Sequence, residues 1–170
     1  MEDRSLQEFR VISKHRMINQ YYPKLRACIE IICYDELWEK PTEKTNSIGE
    51  ITLHIVEHIQ RSTVRLFDPE RRFPAGIENH FPRTAGGKSE VLHTVERVFN
   101  HFERAMDEAA AAHISLRDIY HLIEHTAYHL GQIVDRTQAL TNHQFQFVQN
   151  GLSERTLKNL ITEELNPRER

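Results

Sequence analysis

The sequence predicts an all-α protein: a four-helix bundle with a long crossover between its second and third helices and a short C-terminal helix. Three observations predict it. Apolar residues recur at spacings of three and four through four long segments. Helix-start signals precede several of those segments. No run of any length alternates apolar and polar residues as a half-buried strand must. Six glycines and six prolines in 170 residues leave few tight turns, which also favours helices over sheet. The length suits one domain spanning 1–170.

The first helix is expected from about Leu6 to Cys33, with Ile18, Tyr22, Leu25, Ile29 and Ile32 on one face. Pro23 lies inside it, so the helix either kinks there or restarts with proline in its first turn. The stretch YDELWEKPTEKTN reads as a polar connection broken by Pro41. The second helix opens at NSIGE, where Ser47 and Glu50 have the spacing of a capping box. Ile48, Ile51, Ile55 and Ile59 mark its buried face.

After Phe67, the stretch DPERRFPAGIENHFPRTAGGK holds three prolines and three glycines and reads as a long loop. It can carry the chain back along the bundle, so the third helix need not run antiparallel to the second. The third helix is expected from about Ser89 to Ala112, with Val91, Val95, Val98, Phe102, Ala105 and Ala109 inward. A very short link and a second capping-box spacing, Ser115 with Asp118, start a fourth helix that runs to about Thr141. The short link makes the third and fourth helices antiparallel neighbours. A last short helix follows, capped by Ser153.

A formal charge of −3 and a pI near 6.4 give no general attraction to nucleic acid or to an anionic membrane. No apolar run approaches the ~20 residues that span a bilayer. The segment MEDRSLQEFR lacks the basic and apolar regions of a secretory signal, which points to the cytoplasm. Cys28 and Cys33 do not form a CxxC motif and read as buried free thiols.

Eleven histidines are the compositional anomaly. Residues i and i+4 of a helix are offset by roughly 40° around the axis and ~6 Å along it, so two histidines at this spacing can reach one metal ion. The spacing occurs on two helices, as His54/His58 on the second and His125/His129 on the fourth, with His121 one turn before the latter pair. A lone helical histidine is ordinarily a surface residue or a hydrogen-bonded core residue, and His15, His80, His93, His101, His113 and His143 are read that way. On the second helix the apolar periodicity by itself prefers His58 to His54 as the inward-facing ligand.

Two familiar metal chemistries lack their residues. A metalloprotease helix needs HExxH, and the residue after His125 is Thr126. A di-iron carboxylate bundle needs two Glu-x-x-His motifs, and only Glu90 to His93 is found. What remains is a nitrogen donor set, which suits Zn²⁺ or Ni²⁺ better than Mg²⁺ or Ca²⁺. Three histidines with an open fourth position would lower the pKa of a bound water or hold a substrate thiol as thiolate. Gln132, three residues beyond His129, is placed to orient an imidazole or a ligand, or is merely a polar helix residue. Gly131 costs ~1 kcal/mol inside a helix and would let a neighbouring helix approach closely. No catalytic residue is legible. Glu57 and Glu124 adjoin histidines in sequence, but adjacent helix positions point about 100° apart.

The segment NSIGEITLHIVEH followed far downstream by HTAYHLGQI resembles the DinB/YfiT-like superfamily of metalloenzymes, whose members carry a pattern close to S-I-G-x-x-x-x-H and then H-x-x-x-H-R-G-Q. The stretch YYPKLRACIEIICYDELWEKPTEKTNSIGE is similar to the first helix and loop of one bacterial subgroup, so the resemblance covers most of the chain up to about residue 140. It implies a four-helix bundle with a long crossover, a homodimer, and a metal triad on His54, His125 and His129, with His58 beside the site or at the surface. Relatives implied by it include thiol-dependent S-transferases and isomerases that use a low-molecular-weight thiol. Leu130 departs from the family pattern, which often has Arg there, so shared substrate specificity does not follow. Two functions are therefore carried forward. One is a metal-dependent thiol S-transferase or hydrolase acting on a small molecule. The other is a non-catalytic metal-binding or stress-associated protein.

Overall fold

The computed structural model describes residues 4–84 and 86–167, and among these every regular element is a helix. The chain runs α1 (Arg4–His15), a π-helical turn (Arg16–Tyr21), α2 (Tyr22–Ile31), α3 (Tyr34–Trp38), α4 (Ile48–Phe67), α5 (Lys88–Glu108), α6 (Leu116–Thr141) and α7 (Glu154–Leu165). Single 3₁₀ turns lie at Ile77–Asn79 and Ala111–His113. No helix among the described residues is long and apolar enough to cross a membrane.

The expected first helix is thus α1, the π turn and α2 in succession. Pro23 has no N–H to return to the preceding turn, and the ladder widens in the residues just before it. The widened turn also carries structure. Gln20 Nε2 donates to the Ser153 carbonyl (3.1 Å) and Arg16 pairs with Glu154 (2.5 Å), which docks the start of α7. The supposed polar connection contains α3, whose Leu37 and Trp38 are buried. Five residues are too short to show a helical period, and only the packing of Trp38 reveals the element.

Both expected caps of α4 and α7 are present. Ser47 Oγ accepts from the Glu50 N–H (3.1 Å) while Glu50 Oε2 accepts from the Ser47 N–H (2.8 Å), and Ser153 Oγ accepts from the Thr156 N–H. Ser115 caps α6 by accepting from the Asp118 N–H (3.3 Å), which is half of the expected box. The apolar positions expected on α4 and α5 are all buried. Of the two cysteines, Cys28 is buried but Cys33 is exposed, because the chain has already left α2 at that point.

α4 packs against α5 and α6, and α2 packs against the same two helices. α5 and α6 therefore share partners and are not the close neighbours that the short link suggested. α4 and α6 run antiparallel, since His54 meets His125 and His129 while His58 meets His125 and His121. The Ala111–His113 turn after α5 returns to the far end of α4, where His113 Nδ1 donates to the Leu66 carbonyl.

Two glycines contrast. A Cβ on Gly49 would lie 2.5 Å from the Trp38 ring, whereas one on Gly131 would meet nothing within 4 Å. Gly131 therefore allows no close helix approach, contrary to the sequence expectation. Gly49→Ala should cost about 1–3 kcal/mol through overpacking, lowering Tm by roughly 2–4 °C per kcal/mol in a chain of this size. Gly131→Ala should instead stabilise by up to about 1 kcal/mol. Thermal melts of the two variants beside the parent check both signs.

Candidate metal centre

Three imidazoles converge where α4 faces α6. His54, His125 and His129 each place a ring nitrogen within 4.8 Å of the others, and the group can hold a metal ion. His54 is 1% exposed and His129 8%. His54 Nε2 stands 3.1 Å from His125 Nε2. Two nitrogens bound about 2.0–2.1 Å from a tetrahedral zinc lie roughly 3.3 Å apart, so the spacing fits with little movement.

Outer partners decide which nitrogen faces inward. His54 Nδ1 donates to the His80 carbonyl (2.8 Å), and a carbonyl only accepts, so Nε2 of His54 carries the free lone pair. His129 Nδ1 donates to Gln132 Oε1 (2.9 Å), which turns its Nε2 toward the same point. Gln132 thus orients an imidazole, one of the two roles its spacing allowed. Phe81 stacks on His54 with centroids 4.1 Å apart and stands edge-on to His129. It covers the cluster with an apolar ring.

His80 and Phe81 belong to the segment between α4 and α5, so that segment supplies both a hydrogen-bond acceptor and a roof to the site. It is tied down by Glu57, whose carboxylate takes a hydrogen bond from His80 Nδ1 (2.6 Å) and pairs with Arg61 (2.6 Å). Burial pushes the Glu57 carboxyl upward, but His80 and Arg61 outweigh it and hold it below the usual range. The sequence reading set His80 aside as a surface or structural residue, and its side chain does bond to Glu57. Its side chain is exposed, and its importance lies in a backbone carbonyl that no residue pattern reveals.

His58 is buried as well and stacks on His125 at 3.8 Å. His121 is exposed and stands 5.8 Å from His125 by ring centroids. Thr126, where a protease helix has its glutamate, is 1% exposed. The other expected bystanders behave as such: His15 hydrogen-bonds Asn19 and stands 2.8 Å from the Glu164 carboxylate, and His93, His101 and His143 are exposed. Glu78 went unnoticed in the sequence, although its carboxylate gathers with His58 and His125. A lone glutamate in an irregular loop has no spacing to betray it.

Burial, and then neighbouring imidazoles, push His58 down to about 4 and His125 down to about 3. His54 and His129 are also lowered, chiefly by burial. All four rings are therefore neutral at neutral pH, the form that binds metals. A larger groove lies between α1 and α7, lined by residues such as Ile12, Leu157 and Leu165, but none of these histidines borders it.

Comparison with family models, with curated proteins and with solved structures found no match for this chain.

Gln132→Ala should leave the fold intact and weaken metal binding about 10- to 100-fold, the usual cost of losing the partner of a ligating histidine. Competition with a chromophoric chelator measures it. The lowered histidines also set a pH dependence for the metal-free chain. The unfolded chain takes up protons near pH 6.5, whereas folded His58 and His125 resist to about 4 and about 3. Stability is thus complete above pH 6.5 and declines as pH falls from there toward those values. The Tm of chelator-treated protein should drop between pH 7 and pH 5, and the drop should shrink in His58→Phe/His125→Phe.

Proposed function

We propose that this chain is a divalent-metal enzyme of the DinB/YfiT-like kind, with His54, His125 and His129 as metal ligands. The helices would then form that family's four-helix bundle, with 68–87 as its crossover. The observation that carries the reading is the convergence of the three ring nitrogens within 4.8 Å, with two tautomers set by the His80 carbonyl and Gln132.

The donor set favours Zn²⁺ or Ni²⁺ over Mg²⁺ or Ca²⁺. Three protein ligands leave a position for an exogenous group. A divalent ion bound there supplies Lewis-acid chemistry that lowers the pKa of a water or a thiol. The chain's own residues would hold the three imidazoles neutral, keep them oriented, and shield one side with Phe81. On this reading the protein activates a low-molecular-weight thiol for transfer to an electrophilic small molecule, or a water for hydrolysis. The resemblance further implies a homodimer, and the sequence reading points to the cytoplasm.

The test starts from untagged protein purified without a nickel column. Wild type should carry or take up metal, and the His54→Ala/His125→Ala/His129→Ala variant should lose the ion those residues hold. Thiol conjugation of a model electrophile should then saturate with substrate and vanish in His129→Ala. Metal binding without turnover of any thiol or hydrolytic substrate would favour the metal-binding, non-catalytic alternative. A wild type that refuses Zn²⁺ and Ni²⁺ would overturn both.

A further inference from the structure

His125 has two ring nitrogens, and the three-histidine group uses one. Its Nε2 faces His54, while its Nδ1 is buried without a hydrogen-bond partner. His58 Nε2 is buried and unpartnered too, in a residue only 7% exposed. Most buried ring nitrogens find a partner, because an unmet one loses its hydration and gains nothing in return. Here two such nitrogens belong to rings stacked 3.8 Å apart.

A carboxylate completes the set. His58, Glu78 and His125 each offer one ligand atom within 4.8 Å of the others. A cavity of about 190 Å³ opens beside them, lined by His58, Glu78, Asp118 and His121, with Arg61 and Arg65. The two arginines do not turn it into an anion site. Arg61 is paired with Glu57, and both guanidiniums lie over the Phe73 ring.

We propose that His58, Glu78 and His125 form a second cation site, joined to the three-histidine site through the His125 ring. Two nitrogens and one carboxylate oxygen, with water from the cavity, suit Zn²⁺, Co²⁺ or Ni²⁺. When both sites fill, the ring nitrogens of His125 each bind an ion, and the remaining N–H proton is released to solvent. The ring then bridges the two ions as imidazolate. Glu78 lies in the 3₁₀ turn Ile77–Asn79, so the second ion also ties that stretch of the α4–α5 connection to both helices. This inference goes beyond the proposed function and shares only His125 with it.

Metal-free, untagged protein is dialysed against Zn²⁺, and in parallel against Co²⁺, and the bound ions are counted. Wild type should hold two equivalents, and His58→Ala and His54→Ala one each. Glu78→Gln, a surface change that should not disturb folding, should weaken only the second equivalent, by more than the about 10- to 100-fold that losing an outer partner of a ligand costs. Filling the second site should release one further proton, read in weakly buffered solution. One equivalent in wild type that survives in His58→Ala and Glu78→Gln but is lost in His54→Ala would overturn the second site and leave the first standing. One equivalent that survives in His54→Ala and is lost in His58→Ala would support the second site and overturn the three-histidine reading. No bound ion in wild type would overturn both.

Discussion

Burying several imidazoles between two helices works only while they stay uncharged, and much of the local structure serves that condition. An imidazolium beside other imidazoles would lose its hydration and meet like charges at short range. The protein pushes these groups toward neutrality by desolvation first and by mutual proximity second. The antiparallel run of α4 beside α6 makes this possible. Two i, i+4 pairs facing each other in opposite directions gather into one cluster, in which His125 lies against His54, His58 and His129.

The cluster needs anchors, and they come from outside the two helices as much as from within them. Gln132 is local, one helical turn from the ring it orients. The His80 carbonyl and the Phe81 ring come from the connection that follows α4. That connection is itself held by the Glu57–His80 pair and by Arg61, which donates to the Pro74 carbonyl (3.0 Å). A segment rich in proline and glycine thus earns a defined position near the site through a few directed interactions, not through a core of its own. The Trp38–Gly49 contact plays a comparable part at the start of α4, where a missing Cβ lets the indole lie against the helix.

The long helices were legible in the sequence because their apolar faces repeat, and on α4 and α6 because a serine cap has a fixed spacing to the next acid. Ile48, Ile51, Ile55 and Ile59 on α4, and Val91, Val95 and Val98 on α5, are buried as their periodicity requires. The three histidines named as ligands do come together. Periodicity alone would have chosen His58 over His54, and both prove to be buried, so a helical wheel could not separate them. The short helix α3 was missed because five residues are less than two turns. The expected contact of α5 with α6 was wrong because a short link fixes where a helix starts, not which face it packs against.

What the sequence determined by itself was local: which segments are helical, where they begin, and which residue types stand at metal-binding spacing. Those properties depend on neighbours a few residues away along one chain. What only the tertiary structure decided was which nitrogens meet, which of them carry protons, and what covers them. His54 and His125 are separated by 71 residues, and the carbonyl of His80 acts through its backbone. Contacts of that kind depend on how helices cross and where a loop returns, and no side-chain pattern encodes a backbone oxygen.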